Sequence, residues 1–233
     1  MDRRALGKAV VALVATTVVA ACGSGPPPPP SITLTFVRHA QSEGNASGLI
    51  DSSVPGPPIT AEGRQQAQRV ADKLRGKDFD GIFASSMVRT QQTAAPLAED
   101  LDEQVEILPG LREIDAGQFE GTPEADAVST YFLAPMAWLQ GDREARIPES
   151  ISGKEFNDQF TAAVQKIYDS GDRNPVAFSH SAAIMVWTMM NVRNPDDNLL
   201  AGHPLPNTGQ VVIRGNPVTG WTLLSWDGLE QSG

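Results

Sequence analysis

The sequence predicts an α/β fold built around a mostly parallel central sheet. Three apolar runs, ITLTFV at 32–37, FDGIFAS at 79–85 and the strand Val176–Phe178, are each followed by a stretch with helical spacing. This alternation is typical of parallel sheets, because parallel neighbours need a crossover connection, usually a helix. The chain has 233 residues and a hydrophobic content of 40%, enough to close one sizeable core, so we expect a single domain.

Residues 1–21 have the layout of a secretory signal. A basic start that contains Arg3, Arg4 and Lys8 precedes an apolar stretch and small residues. About thirteen residues separate Lys8 from Cys22, fewer than the roughly twenty that an uncleaved membrane span needs. We therefore expect residues 1–21 to be a cleaved leader that exports the chain.

Cys22 is the only cysteine of the chain and directly follows the small residues VAA. This context resembles the lipobox of bacterial lipoproteins, which implies that Cys22 is lipidated and tethers the mature chain to the membrane, facing the outside, in the cell envelope. The alternatives are an uncleaved anchor and a chance cleavage site. Residues 22–30 end in five prolines, which favour a semi-rigid linker. The folded domain is then expected over residues 31–233, without an internal disulfide.

The charge of the chain limits its partners. The formal net charge is -10, and an acidic surface repels nucleic acid and anionic membranes. We therefore predict no nucleic-acid partner. Any site for an anion must be a local basic pocket.

Arg38 and His39 stand at the end of the first apolar run, directly before a turn of small residues. Two adjacent side chains that can carry positive charge are costly to bury without partners, so their position indicates an anion site. Ligands of open α/β sheets bind at the carboxyl ends of the strands, where this pair lies. The following segment, residues 58–76, predicts an amphipathic helix that begins at the N-cap Thr60 and stops at Gly76.

The other two units repeat this arrangement. The second run leads into a helix predicted to start near Ser85 or Ser86, which puts Arg89 in its first turn, where a cation opposes the helix dipole. The third run leads into Ser-His-Ser, so His180 also lies at a strand end. Parallel strands bring these ends to one edge of the sheet, and helix N-termini there offer backbone N–H groups to a phosphate.

Four sequence blocks carry a resemblance to a known family. In chain order they are VRHAQSEGN at 37–45, SSMVRTQQTA at 85–94, LREIDAGQFEG at 111–121 and AFSHSAAI at 177–184. They resemble the Arg-His-Gly, Ser-x-x-Arg, Leu-x-Glu and Ser-His-Gly blocks of the histidine phosphatase superfamily, in its phosphoglycerate mutase-like branch 1. The resemblance spans about residues 31–228 and implies a three-layer α/β/α sandwich with a mostly parallel central sheet. Ala40, Gln41 and Ser181 depart from the family pattern, and the methyl group of Ala40 is expected near the phosphate site.

The resemblance implies that His39 is the nucleophile and forms a phosphohistidine. An imidazole attacks only when it is neutral, and Arg38, Arg89 and a protonated His180 are expected to lower the pKa of His39. The two arginines would bind the nonbridging phosphoryl oxygens. His180 and Asn45 would donate further hydrogen bonds to the charge that develops during transfer.

The resemblance also implies a proton donor and one further binding group. Glu113 is expected to protonate the leaving alkoxide and then to activate water against the phosphohistidine. Asp115 and Glu120 are alternatives, because an extended segment would put Asp115 on the same face as Glu113. Ser42 would add a hydroxyl group to the substrate site.

The remaining sequence carries weaker signals. His39, His180 and His203 are the only histidines and no pair has the spacing of helical metal ligands, so we predict no metal and no cofactor. His203 lies in a Pro-rich loop that favours a surface position, although it could line the pocket. Residues 122–150 form either a cap over the pocket or a helix buried against the core. Two β runs around Asn216–Gly220 predict a terminal hairpin at one side of the sheet.

Three functions are compatible with these residues. Hydrolysis of a phosphomonoester, either a phosphorylated small molecule or a phosphopeptide, is the leading hypothesis, because an exported protein has little access to the substrates of a glycolytic mutase. A phosphoglycerate mutase-type phosphotransferase is the first alternative. The second is a noncatalytic lipoprotein that binds a phosphorylated ligand, against which the candidate acid argues. No oligomeric state is predicted.

Overall fold

The computed structural model describes residues 29–231. The leader predicted at 1–21, the lipidation predicted at Cys22 and most of the linker predicted at 22–30 therefore lie outside the described residues. Within residues 29–231, no helix is both long enough and apolar enough to cross a membrane. The described residues form a central sheet with helices on both faces.

Seven strands make up this sheet. In chain order they are β1 (Ile32–Arg38), β2 (Ile82–Ala84), β3 (Val105–Ile107), β4 (Val176–Ser179), β5 (Gln210–Asn216), β6 (Gly220–Trp226) and β7 (Leu229–Glu230). The described residues also contain seven α-helices. In chain order they are α1 (Glu43–Ser47), α2 (Ala61–Leu74), α3 (Val88–Leu101), α4 (Leu133–Leu139), α5 (Gly153–Asp169), α6 (Ser181–Asn191) and α7 (Asp197–Gly202).

The sheet is mixed, with the strand order β3-β2-β4-β1-β5-β6-β7. The strands β3, β2, β4 and β1 are parallel neighbours, whereas β5, β6 and β7 add antiparallel pairs. The prediction of a mostly parallel sheet is therefore only partly right, because the hairpin predicted around Asn216–Gly220 joins the sheet directly beside β1 and is extended by β7. As a result β1 lies at the centre, between β4 and β5.

Alternate residues of the central strands enter two separate hydrophobic clusters. Phe36 of β1 and Ala177 of β4 belong to one cluster, together with residues of α4, α5 and α6. Val37 and Phe178 belong to the other, together with residues of α2 and α3. This division follows from the two-residue repeat of a strand, which sends successive side chains to opposite faces. The result is the α/β/α layering that was expected.

The start and the end of α2 follow the N-cap and stop residues predicted from the local sequence. Thr60 caps this helix as predicted, since its hydroxyl group accepts the N–H of Gly63 at 2.9 Å. The α-helix ends at Leu74 and a 3-10 turn takes over at 75–77, which contains the predicted stop at Gly76. The helix covers the sheet with its buried residues Ala67, Val70, Ala71 and Leu74.

The start of α3 lies later than predicted. It begins at Val88, two or three residues after the predicted start at Ser85 or Ser86. The Ser85 hydroxyl accepts the N–H of Met87 at 3.2 Å, and such local side-chain bonds compete with helix formation. Arg89 nevertheless remains in the first turn, where it is 3% exposed.

Residues 122–150 fold both onto the core and over the site. They contain a 3-10 segment, Glu124–Ser129, and the helix α4. Trp138 of α4 is fully buried, and its indole N–H donates to the carbonyl of Ala145 at 2.8 Å. Met136 of the same helix is exposed and lines the cavity described below. One side of α4 therefore packs against the core, and the other side faces the cavity.

Candidate active site

Three strand ends meet at one edge of the sheet. His39 follows β1, His180 follows β4, and Arg89 lies in the first turn after β2. The backbone N–H of His39 donates to the carbonyl of Ser179 at 2.9 Å, which extends the parallel pairing by one residue. The ring centroids of His39 and His180 are 5.1 Å apart. The structure thus brings these three predicted site residues together, as expected for the carboxyl ends of parallel strands.

Hydrogen bonds fix the tautomer of His39. Its Nδ1 atom lies 2.7 Å from the carbonyl oxygen of Ala40, which can only accept, so Nδ1 carries the proton. The other ring nitrogen, Nε2, then holds the lone pair, and the Nε–H of Arg89 donates to it at 3.2 Å. The nitrogen of His39 that can attack an electrophile is therefore Nε2.

The surroundings of His39 keep its imidazole neutral. Burial lowers the pKa of His39 well below its usual value, and the charges of Arg89 and Arg38 lower it further. The hydrogen bond to Ala40 has a smaller, opposite effect. The effect expected from the arginines is present, but burial is the larger cause.

Arg38 and Arg89 are both held by hydrogen bonds, and each leaves one buried N–H donor atom without a partner among the described residues. Nη1 of Arg38 donates to the carbonyl of Leu205 at 2.7 Å, and Nη2 of Arg89 donates to the carbonyl of Asp51 at 3.1 Å. Nε of Arg38 and Nη1 of Arg89 are buried and have no hydrogen-bond partner among the described residues. Burial lowers the pKa of both guanidinium groups, yet arginine keeps its charge in proteins. Such buried donors are costly unless an anion binds to them.

His180 is fully buried beside His39 and is not among the residues that line the cavity. Its Nε2 atom lies 2.8 Å from the Ser85 hydroxyl, and its Nδ1 atom is buried without a partner among the described residues. Burial, followed by the charge of Arg89, lowers the pKa of His180 well below its usual value. Both effects act against the protonated His180 that was expected and favour the neutral ring. It can still donate one hydrogen bond, through Nδ1, when Ser85 donates to Nε2.

Ser42 and Asn45 line the cavity just beyond His39. The Ser42 hydroxyl caps α1 by accepting the N–H of Asn45 at 3.2 Å, and it donates to Oδ1 of Asn45 at 3.3 Å. The predicted bond from Ser42 to substrate would have to replace this second contact. Because Oδ1 of Asn45 accepts, its Nδ2 group is the part that can donate to a ligand.

Asn207 is a site residue that the sequence signals did not reveal. Its Nδ2 group donates to the carbonyl of His39 at 3.1 Å and to Oδ1 of Asn45 at 3.2 Å. Asn207 precedes β5, whose antiparallel pairing brings its first residues to the edge where β1 ends. A polar residue directly before the predicted hairpin is the signal that could have found it, once the hairpin is placed beside the first strand.

Glu113 lies against the first turn of α6 and lines the cavity. Its Oε1 atom accepts the N–H of Ile114 at 3.0 Å and that of Ala183 at 2.8 Å, and Oε2 accepts the N–H of Ala182 at 3.4 Å. Burial raises the pKa of Glu113, although these N–H groups and the two arginines act against it. The expectation that this helix N-terminus offers its N–H groups to a phosphate is therefore wrong for Ala182 and Ala183, because Glu113 accepts from both.

The other predicted candidates lie away from the cavity. Asp115 is exposed and accepts a local backbone N–H, whereas Glu120 accepts the N–H and the hydroxyl of Ser52. His203 is exposed, as favoured from its Pro-rich loop. None of these three side chains lines the cavity. The geometry therefore favours Glu113 over Asp115 and Glu120, because Glu113 is the one of the three that lines the cavity with His39.

Ala40 stands where the resemblance leads one to expect glycine. Its N–H donates to the hydroxyl of Thr93 at 3.0 Å, and its methyl group packs in a small buried cluster with Ile59 and Ala67. Ala40 does not line the cavity, and its backbone lies outside the left-handed region. The methyl group expected near the phosphate site therefore points into the core and does not narrow the site.

A cavity of about 830 Å³ contains the nucleophile in its wall. Its polar lining includes Arg38, His39, Asn45, Arg89 and Glu113. Much of the remaining lining is apolar and comes from the 3-10 segment, α4 and α6. Within residues 29–231 no group of three or more His, Cys, Asp or Glu side chains is arranged to hold a metal ion. The arrangement combines an activated imidazole, buried donors for an anion and a carboxyl group that can transfer a proton.

Comparisons with other sequences give related proteins of two kinds. The chain is 49% identical to PE-PGRS family protein PE_PGRS11 of Mycobacterium tuberculosis strain H37Rv over 215 residues, which is 85% of this chain and 37% of that protein. The chain thus spans little more than a third of the length of this relative. It is 31% identical to the probable phosphoglycerate mutase GpmB of an Enterobacter species over 150 residues, or 64% of this chain and 69% of that protein.

Solved structures and a family model agree with these relatives. The fold is similar to that of mycobacterial glucosyl-3-phosphoglycerate phosphatase, with a TM-score of 0.69 at 22% identity over 85% of this chain and 99% of that one. It is similar as well to a putative alpha-ribazole-5'-P phosphatase from Escherichia coli, with a TM-score of 0.67 at 21% identity over 87% and 98% of the two chains. The family model of the histidine phosphatase superfamily (branch 1) matches residues 34–227. This chain therefore belongs to branch 1 of the histidine phosphatase superfamily.

Proposed function

We propose that the chain is a phosphomonoester hydrolase that acts through a phosphohistidine on His39, without a metal ion. The observation that carries this proposal is the state of His39: its Nδ1–H is held by the Ala40 carbonyl, and its Nε2 lone pair lies beside Arg89. Buried donors of Arg38 and Arg89 without partners support a binding site for a phosphoryl group. The substrate is a phosphorylated small molecule, since the cavity volume of about 830 Å³ lies within the range of small-molecule sites.

In the first chemical step Nε2 of His39 attacks phosphorus. The N–P bond forms while the bond to the leaving oxygen breaks, and Glu113 donates its proton to the departing alkoxide. Arg38 and Arg89 bind the nonbridging oxygens, and the Nδ2 group of Asn45 adds a further donor. The raised pKa of Glu113 suits this step, because the carboxyl group must carry a proton when the substrate arrives.

In the second step water replaces the histidine. Glu113, now a carboxylate, takes a proton from water as the oxygen attacks phosphorus, and the N–P bond breaks. Inorganic phosphate leaves, and His39 and Glu113 return to their starting states. Transfer of the phosphoryl group to a second alcohol instead of water would make the same site a mutase.

Mutase activity is the second candidate, because relatives about 31% identical to the chain are named probable phosphoglycerate mutases. The two activities are separated by product analysis with 3-phosphoglycerate as substrate. Release of inorganic phosphate supports hydrolysis, whereas formation of 2-phosphoglycerate supports phosphoryl transfer. Tight binding of phosphate esters with neither product would support the noncatalytic alternative.

The proposed hydrolysis is tested with the purified full chain, p-nitrophenyl phosphate and a metal chelator. We expect turnover in the chelator, loss of turnover by at least about a thousandfold in His39→Ala, and an acid-labile phosphoryl group on His39 in the rapidly quenched wild type. The matched control is His203→Ala, since His203 is exposed and does not line the cavity. Full activity of folded His39→Ala would overturn the proposal.

We also propose that the domain is held at the cell envelope by a lipid on Cys22, as its sequence context implies. Metabolic labelling with palmitate tests this, with Cys22→Ala as the variant. Label that disappears in the variant supports the anchor. If the variant keeps the label, or if the wild type carries none, the proposed lipid anchor is wrong.

A further inference from the structure

The cavity extends from the phosphoryl site into a surface that is mainly apolar. We call this surface the apolar wall and define it by six residues: Leu49, Val128, Phe132, Met136, Met185 and Leu200. Three of them are exposed although they are large and apolar, Leu49 at 43%, Met136 at 47% and Val128 at 70%. Exposed apolar groups that cluster around a functional cavity mark a surface that gains free energy when an apolar ligand covers it.

The charged groups of the cavity exclude a second anionic group on the ligand. Among the described residues that line it, Arg38 and Arg89 are the only lysines or arginines. Both are assigned to the phosphoryl group, because Nε of Arg38 and Nη1 of Arg89 are buried without a partner among the described residues. A carboxylate or a second phosphate elsewhere in the cavity would therefore have no cation to bind.

The acidic lining residues strengthen this exclusion. Asp51, Glu124 and Asp197 line the cavity in addition to Glu113. A ligand that carries one phosphoryl group satisfies the two arginines, whereas any further negative charge would lie near carboxylates in a site partly shielded from water. The size of the cavity, about 830 Å³, lies within the range of pockets that bury drug-sized ligands.

We propose that the physiological ester is the phosphate monoester of an apolar alcohol that carries no second anionic group. The phosphoryl group binds between Arg38, Arg89 and His39, and the alkyl or ring part of the alcohol covers the apolar wall. This inference rests on the proposed function for its chemistry. It concerns the alcohol part of the ester, which the residues of the phosphoryl site do not recognise. It separates this chain from enzymes that act on phosphoglycerates, whose carboxylate needs a cation of its own.

The test is a series of n-alkyl phosphates from ethyl to octyl, assayed with the full chain below the concentration at which they form micelles. Each methylene group that becomes buried on the apolar wall should raise kcat/KM by about fourfold, so a rise of about a hundredfold or more is expected across the series. Glycerol phosphate and 3-phosphoglycerate should be hydrolysed no faster than ethyl phosphate. A flat series, or a preference for 3-phosphoglycerate, would overturn the proposal.

A matched pair of variants on α4 locates the effect. Met136→Gln replaces a side chain of the apolar wall by a polar one of similar size, whereas Leu133→Gln changes a residue of the same helix that is 58% exposed and does not line the cavity. We expect Met136→Gln to lower kcat/KM for octyl phosphate by about three- to tenfold more than it lowers kcat/KM for ethyl phosphate. Leu133→Gln should change neither. Equal effects of the two variants would contradict the assignment of this surface.

Binding of n-alkyl phosphonates, which cannot be hydrolysed, separates failure of this inference from failure of the proposed function. Affinity that rises with chain length supports the ligand class even if no ester is turned over, in which case it is the proposed hydrolysis that fails. Affinity that is independent of chain length, in a chain that hydrolyses phosphate esters, overturns the ligand class and leaves the hydrolysis intact. Titration calorimetry measures both outcomes directly.

Discussion

Replacing Glu113 by glutamine removes a proton donor while keeping the size of the side chain. The carboxyl group accepts backbone N–H groups from Ile114 at 3.0 Å and from Ala183 at 2.8 Å. Both are accepted by Oε1, so the amide oxygen of a glutamine can keep them, but its NH₂ group, in the place of Oε2, cannot accept the N–H of Ala182, which lies at 3.4 Å. One partly buried donor is then left unsatisfied, which should lower the free energy of unfolding by about 1–3 kcal/mol and leave the chain folded.

The catalytic effect of Glu113→Gln should depend on the leaving group. An alkoxide cannot leave without a proton, so hydrolysis of an alkyl phosphate should fall by the full contribution of a general acid, about 10² to 10⁴ in rate. A p-nitrophenolate ion is stable without a proton, so phosphorylation of His39 by p-nitrophenyl phosphate should change little. The attack of water still needs a base, and the phosphohistidine should therefore accumulate.

The assay that shows this is stopped-flow measurement of p-nitrophenolate. Glu113→Gln should release about one equivalent per active site in a burst and then continue slowly, as expected when breakdown of a covalent intermediate limits turnover. Asp115→Asn and Glu120→Gln are the controls, since neither side chain lines the cavity. The reasoning fails if Glu113→Gln loses equal factors on both types of ester, or if Asp115→Asn gives the burst instead.

The pH dependence of hydrolysis is a second test of the role of Glu113. Burial raises the pKa of Glu113 and lowers that of His39, and both shifts favour the states that the first step needs, a protonated Glu113 and a neutral His39. Hydrolysis of alkyl phosphates should fall as the pH rises through the pKa of Glu113, because the acid is then lost. In Glu113→Gln that alkaline decrease should be absent from the phosphorylation step.

Three further predictions concern the phosphoryl site and its support. Arg89→Lys keeps the charge but loses the bond from Nε to His39, so inhibition by orthophosphate should weaken at least about tenfold, and an unchanged inhibition constant would contradict the assignment. Thr93→Val leaves the buried N–H of Ala40 without its acceptor and should lower the free energy of unfolding in urea by about 1–3 kcal/mol, whereas Thr93→Ser should have a smaller effect. Because the pKa values of His39 and His180 lie well below the usual 6.5, the unfolded chain binds more protons below that pH, and stability should fall with acidification by up to about 1.4 kcal/mol per pH unit for each histidine. Urea unfolding between about pH 7 and 5 measures this slope, which should be smaller in His180→Gln.

The parts of the fold that could be predicted depend on short-range patterns. The run at 32–37 becomes a central strand because it is rich in β-branched and aromatic residues, and Thr60 caps a helix through a bond three residues away. Arg89 and His180 could be assigned to the site because parallel strands must end at the same edge. These predictions need no knowledge of distant contacts.

The parts that could not be predicted depend on contacts between distant segments. Asn207 binds the backbone of His39, a contact that exists only because β5 pairs with β1. The neutral state of His180 follows from its complete burial, which its position at a strand end does not reveal. The hydrogen bonds from the first turn of α6 to Glu113 likewise join segments about 70 residues apart, so no local sequence pattern predicts them.

The central position of β1 determines when the protein can fold. Thr35 pairs with Val176 on one side and with Val212 on the other, so the first strand among the described residues has partners that are synthesised much later. Closing a loop of about 140 residues precedes any gain from these pairs, and such non-local topologies fold slowly. During synthesis the segment that carries His39 therefore has no strand partner from this sheet until residues 176–179 have emerged, and it has its second partner only after β5. The proposed activity should therefore appear only after the C-terminal hairpin has joined the sheet.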